Sequence, residues 1–488
     1  MPFQKVILKP GINVQKTKLL NEGQWSNGNL VRFREGLPEV MGGWILSGPP
    51  KLTSNTVAGF SWADNSGGAY AVAGTTNGVY LLGNSSNTLL LGGSGVQQWS
   101  LDHWGAYLIC NPGGGGLYSW IPPSGSAAII TGAPTQVNSM FISNAAEQII
   151  CCGSKPGAGG AFDPMLVVWC DNGNYNTWSP AASNAAGSYP LTDGTYIVRG
   201  RRAAQQNLIW TDTALFSMQY IGQPLIYGFN QIATNCGLVG QNACVVVGSV
   251  AFWMSFLNFM WYNGTVQPLD CPIRDQIYNK LNKSWISSVQ CSVNTQFSEV
   301  RWDYPISGPY PDAFVIYNYA ENTWTMGSND ASGGISVGRS AWINDGSGFN
   351  PVGFDSSSTG TFGTVWQHEN GYTVGGAAMP WFLETSFFDI AEGEEMMFCD
   401  LILPDQIMTQ GGVSGGSYSL SVAASRYTSD ATTVPYGAPF TVAPSVEFIN
   451  TRIRGRQMSL RFDNTVGSVN TFVRLGAPRL RVAPDGRN

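Results

Sequence analysis

Short apolar runs alternate with polar turns along most of this chain, and one arrangement recurs. An apolar strand is followed by a tight turn and a second strand that often ends in Trp or in aliphatics. Copies start at Val79 (VYLLGNSSNTLLL), Leu117 (LYSWIPPSGSAAII), Leu166 (LVVWCDNGNYNTW), Leu208 (LIWTDTALFSMQY), Phe259 (FMWYNGTVQPL), Phe314 (FVIYNYAENTW) and Thr364 (TVWQHENGYTV). Their starts lie 38, 49, 42, 51, 55 and 50 residues apart, the spacing of one four-stranded propeller blade per repeat of about 40 to 50 residues. The pattern predicts an all-β chain whose residues 51–375 form a β-propeller of about seven blades, with six as the alternative.

Each outer hairpin is preceded by two inner runs, such as VAGFSW and AYAVAG before VYLL, small and apolar as strands crowding a propeller axis must be. Trp120, Trp169, Trp178, Trp261 and Trp324 are expected to be buried between blades. A helical stripe occurs at Ile273, Ile277 and Leu281, predicting a helix inserted between blades five and six. Ala243–Trp261 has no charge over a membrane-like length, but Gly248-Ser249 and Asn258 divide it into short β-branched and aromatic pieces, so it reads as propeller strands. After Gly375-Gly376 strict alternation replaces the blade hairpin, predicting an antiparallel β-sandwich over 376–488. Residues 1–50, punctuated by glycine, read as an extended N-terminal arm that packs on something else before Trp44 leads into the propeller.

Charged residues are only 11% of the 488, against a typical ~25%. The net charge of −6 is unevenly spread: residues 1–51 carry +4, 52–198 carry −5, 199–441 carry −10 and 442–488 carry +5. An acidic body between basic ends argues against gripping nucleic acid along the propeller, because Lys/Arg neutralisation of phosphate supplies most of that affinity. It suits a surface past which DNA slides.

Candidate chemistry is sparse. The nine cysteines lack metal or redox spacing, and Cys151-Cys152 sits in an apolar run as core filler. No signal-peptide core precedes Lys9-Pro10-Gly11, so assembly in a cytoplasm is expected. His103 and His368, the two histidines, read as structural. Asp171-Asn172-Gly173 reads as a turn, and Glu392, Glu394 and Glu395 as a solvated loop. No enzyme, cofactor or metal site is expected. The C-terminal basic segment stands out: Arg452, Arg454 and Arg456 alternate in strand register, and Arg461, Arg474, Arg479, Arg481 and Arg487 follow without a lysine. Together with Arg32 and Arg34 these are candidates for pairing with carboxylates across an interface.

The opening KPGIN and NEGQWSNGNLVRFREGLPEVMGGW resembles the start of propeller-type virion proteins of short-tailed bacteriophages, and GRQMSLRFDN with GAPRLRVAPDGR resembles their end. In its order of arm, propeller and Arg-rich sandwich the chain is similar to tail hub or nozzle proteins, including those called packaged-DNA stabilisation proteins. That resemblance implies a homohexameric ring in the virion tail, below an adaptor (head-to-tail connector) ring, carrying tail fibre, tailspike or needle proteins. It also implies that DNA passes without sequence-specific binding, is retained, and is conducted during ejection. The alternative is a carbohydrate-binding or glycan-cleaving β-propeller for host receptor recognition; exposed Trp beside paired acids would favour it.

Overall fold

An apolar hairpin of four or five residues per strand cannot bury both its faces alone, so successive copies stack on one another. The computed structural model describes residues 3–17, 20–123, 125–143, 145–157, 159–343, 350–355, 363–389, 394–427 and 434–486. In it, seven antiparallel blades follow in chain order. Their inner strands are Thr56–Ala63, Ser100–Trp104, Val137–Ser143, Ile197–Arg202, Cys244–Val247, Gln290–Asn294 and Arg339–Ile343. The inner strand of blade 7 packs directly on that of blade 1, closing the ring. There Gly59 is required by close approach, since a Cβ on it would lie 2.8 Å from the Ile343 side chain and 2.9 Å from the Trp342 carbonyl oxygen.

Blades 1 to 6 are each completed by consecutive strands, and blade 7 is not. Its strand Val365–His368 pairs with the N-terminal strand Trp44–Leu46, so a segment from the far end of the chain supplies the fourth strand. Trp44 stacks on His368 at 5.2 Å, and the Arg339 guanidinium lies 5.0 Å from the Trp44 ring centre. Arg339 donates its Nε–H to His368 Nε2 at 2.9 Å. Burial, with Arg339 and Arg301 nearby, holds His368 well below the usual imidazole pKa, keeping it neutral and able to accept. The hairpin read at Thr364 is therefore split: Trp44–Leu46 lies between its first strand and Thr373–Val374.

Two other repeats are offset from their sequence reading. At Leu166 the partner of Asp163–Trp169 is Gly187–Pro190, and Asp171 instead organises a turn, accepting from the backbone N–H of Asn172 at 2.9 Å and of Ala185 at 2.7 Å. At Leu208 the hairpin joins the second and third strands of blade 4, whose outer strand is Ile226–Thr234. Trp120, Trp169, Trp178 and Trp324 are buried as expected. Trp261 is partly buried against the same core. Helix α1, Arg274–Lys280, lies between blades 5 and 6 with Ile273, Ile277 and Leu281 all buried. The uncharged stretch forms strands Cys244–Val247, Val250–Met254 and Phe259–Tyr262. Among the described residues no helix is long and apolar enough to cross a membrane.

The N-terminal segment is extended, and what it packs on is this same chain. Strand β1, Phe3–Lys5, pairs with Arg479–Pro484. Strand β2, Trp25–Asn29, pairs with Phe382–Thr385, which pairs with Gln457–Asp463. Strands β3, Val31–Arg34, and β4, Leu37–Val40, form a hairpin that reaches Thr471–Leu475 through Glu39 opposite Arg474. Each sheet of the C-terminal antiparallel sandwich thus contains at least one N-terminal strand. Strands β1 to β4 thus belong with the C-terminal sheets, and β5, Trp44–Leu46, with the propeller. One hydrophobic core runs from Trp253, Trp302 and Trp324 of the propeller through Ile12, Trp25 and Phe33 to Tyr418 and Phe462 of the sandwich.

A chain beginning at residue 47 should therefore lose cooperative folding, because it lacks one propeller strand and four sandwich strands. Circular dichroism melts would show a broad, low transition; a sharp melt at the full-length temperature would mean that the segment is dispensable.

Candidate interaction surface

The sandwich and the propeller meet through β3. Alternation in VRFR would place Arg32 opposite to Phe33, yet both are buried, because β3 lies between the sandwich core and blade 6. Arg32 is 2% exposed. Its guanidinium donates to both oxygens of Glu299 in blade 6, at 2.9 and 3.0 Å, and to both oxygens of Glu369 beyond blade 7, at 2.9 and 2.5 Å. It also lies over the Phe297 ring at 3.7 Å. Burial works against the charged guanidinium, but the two carboxylates outweigh it and hold its pKa above the ordinary arginine value. One cation serves two buried anions, and Glu299 bears the excess: burial pushes its carboxyl up to about 7 against the pull of Arg32, with Glu369 adding to the push.

Other predicted arginines also find partners within the chain. Arg461 pairs with Glu384 and with Asp463, the latter at 2.8 Å, over the Phe382 ring. Arg474 reaches Glu35 at 2.8 Å, which lowers the Glu35 pKa, and lies 3.8 Å from buried Glu39. Arg481 pairs with Asp400 at 2.6 Å and depresses its pKa. Arg454 bridges to Asp485 at 2.5 Å. Arg456 donates to the Glu394 carbonyl at 2.6 Å from the corner where the chain passes from one sheet to the next, off the strand that carries Arg452 and Arg454. Arg34 is exposed, its guanidinium 5.8 Å from the Phe297 ring centre.

Several of these arginines converge on one face. In the sheet ordered β1, Arg479–Pro484, Met397–Leu403, Ile449–Gly455, alternate residues such as Leu480, Val482, Cys399 and Ile402 are buried. The register aligns Lys5 with Arg479 and Leu403, and Phe3 with Arg481 and Leu401, on the opposite, open side. Arg454 aligns with Phe398 there, beside exposed Arg452. Lys5, Arg452 and Arg479 are exposed with no ion pair among the described residues. The face is thus basic, with Phe3 and Ile7 as exposed apolar neighbours.

All nine cysteines are buried and unpaired, and burial raises Cys151 well above the usual thiol pKa and Cys152 to about 12. His103 Nδ1 lies 3.1 Å from the Gly105 carbonyl oxygen. Among the described residues no group of three His, Cys, Asp or Glu could hold a metal; Glu392 and Arg487 lie outside them. Sequence reasoning passed over Arg199, Arg201 and Arg202, which the fold brings to the propeller axis. Their signal was a basic run, RGRR, inside an otherwise acidic propeller.

No protein-family model and no curated protein matches the chain. Among solved structures it is similar to BBS1N in complex with ARL6DN, soaked with mercury, at 9% identity and a TM-score of 0.41, over 67% of this chain and 97% of that one. It is also similar to the Neurospora crassa Pan2 WD40 domain, at 9% identity and a TM-score of 0.40, over 68% and 96%.

Replacing Arg32 by Met should destabilise the protein by ~3–5 kcal/mol, since two buried carboxylates lose the cation that both are bonded to. Glu299 gives a pH signature. Its folded pKa, about 7, lies above an unfolded value of about 4.3. Its contribution to stability is then fully present below the unfolded value and lost as pH rises through the folded one. Wild type should lose stability relative to Glu299→Gln between those limits, with a slope of at most ~1.4 kcal/mol for each step of one in pH. Parallel denaturant titrations across that range check this; a constant difference would contradict it.

Proposed function

We propose that this chain is a structural virion protein of a short-tailed bacteriophage, a tail hub or nozzle subunit that closes into a hexameric ring with copies of itself. The observation that supports this reading is the meeting of its two terminal motifs. WSNGNLVRFREGLPEV supplies β2, β3 and β4, GRQMSLRFDN supplies Gln457–Asp463, and RLRVAP pairs with β1. The segments that carry the family resemblance therefore build one module, whose open sheet face bears Lys5, Arg452 and Arg479. A basic face on one copy suits the acidic propeller of the next, a heterologous contact that closes a ring when its rotation closes.

The size of the propeller axis bears on the DNA path. The cavity there is about 200 Å³, room for some seven waters at ~30 Å³ each, and a duplex whose major groove alone is ~12 Å wide does not fit. A conduit for DNA is then formed between copies. The glycan-binding alternative draws less support. Trp285 is the one tryptophan exposed among the described residues, at 46%, and the turn that carries it, Lys283–Ser288, has no carboxylate.

Charge reversal tests the assembly surface. Arg452→Glu with Arg479→Glu should leave the monomer's stability within ~0.5 kcal/mol, as for exposed positions without buried partners. Ring formation should be abolished. Native mass spectrometry of the purified protein reads both species: a ring that persists in the variant would exclude this face, and a wild type that stays monomeric even in assembled tails would exclude the hub reading.

A further inference from the structure

Blade 4 departs from its neighbours at the axis. Its inner strand, Ile197–Arg202, reads IVRGRR, and alternation puts Arg199 and Arg201 on the same side while Gly200 lies against Phe141 of blade 3. All seven inner strands contribute to the wall of the axial cavity of about 200 Å³. Its polar lining is Asp102, Arg199, Arg201, Arg202, Asn242 and Gln290, beside Ser61. Three guanidinium groups thus share this space with one carboxylate.

That carboxylate is already committed. Asp102 lies 3.2 Å from Arg202 and accepts from the backbone N–H of His103 and of Ile142, each at 2.9 Å. Arg199 is 4% exposed and donates from one terminal nitrogen to Asn242 Oδ1 at 2.9 Å. Asn242 is itself fixed by donating to the Val57 carbonyl at 3.2 Å. The Nε–H of Arg199 and that of Arg201 are both buried without an acceptor. Buried guanidinium donors are ordinarily satisfied, and two cations facing one cavity repel unless an anion lies between them. Burial and the neighbouring Arg201 depress the Arg199 pKa to about 9, as expected of a cation whose counter-charge is missing.

We propose that the propeller axis is a binding site for a small oxyanion of the phosphate class, held by Arg199 and Arg201 and flanked by Arg202 and Asn242. A tetrahedral oxyanion presents several acceptors to converging planar guanidinium forks, and the cavity has room for one with a few waters. The site would join inner strands of several blades through one ligand, as an axial tie. It is independent of any role in a virion.

Thermal unfolding of the full chain, with inorganic phosphate or dAMP against chloride at equal ionic strength, tests this. Wild type should gain stability with ligand concentration as mass action requires. Phosphate stronger than dAMP identifies the free anion as occupant, and dAMP stronger identifies a nucleotide's phosphate. Arg199→Gln and Arg201→Gln should each weaken apparent affinity by about 10- to 100-fold, as for loss of charge-assisted hydrogen bonds. Arg201→Lys, which keeps the charge but loses the planar fork, should weaken it less. Should the glutamine variants fail to fold, electron cryomicroscopy of wild type in phosphate decides: density bridging Arg199 and Arg201 supports the site. Absence of that density, or equal stabilisation of wild type and folded variants, overturns it.

Discussion

A single guanidinium, that of Arg32, is shared by two carboxylates, Glu299 of blade 6 and Glu369 just past the blade 7 strand Val365–His368, while its own strand belongs to the sandwich. A buried ion is costly unless paired and hydrogen-bonded, and here pairing is possible only when three chain segments, around residues 32, 299 and 369, are all in place. The pair is therefore better understood as a specificity device than as a source of net stability. Sandwich and propeller docked in another register would leave two carboxylates or a guanidinium buried alone.

The N-terminal segment follows from the same constraint. It touches blade 6 at Ile12, whose N–H donates to the Trp324 carbonyl at 2.9 Å, and again at Gly36, whose N–H donates to Glu321 at 3.1 Å. Its other side enters the sandwich, with Trp25 against Phe462 at 6.1 Å. It then crosses to blade 7, where Trp44–Leu46 closes the ring. Closure by a strand from the distant end ties the propeller's integrity to that of the sandwich, because the same short segment must satisfy both.

The propeller was legible because each blade repeats a local pattern: apolar strand, turn, apolar strand. The uncharged run from Ala243 and the helical stripe at Ile277 were legible for the same reason, since period and turn residues are local properties. Blade 7 was not, because Thr373–Val374 has the composition of a fourth strand and nothing near it in sequence announces that Trp44–Leu46 takes that place. The arginines divide similarly. Alternation placed Arg452 and Arg454 correctly on one strand face, but Arg456 follows Gly455, where the chain turns into the next sheet. That Arg32 would be buried and Arg452 exposed depends on partners several hundred residues away. Arg199 and Arg201 were hidden because their meaning comes from seven inner strands converging on one axis.

The central claim is that propeller and sandwich are one cooperative unit, joined through the N-terminal segment. Native-state hydrogen exchange measures it most directly, because it reports opening free energies element by element. The account predicts that the slowest amides of Val365–His368 at the ring closure and of Gln457–Asp463 in the sandwich exchange with the same free energy, equal to that of global unfolding. Sandwich amides that exchanged through an opening of much lower free energy, with the propeller still protected, would contradict it.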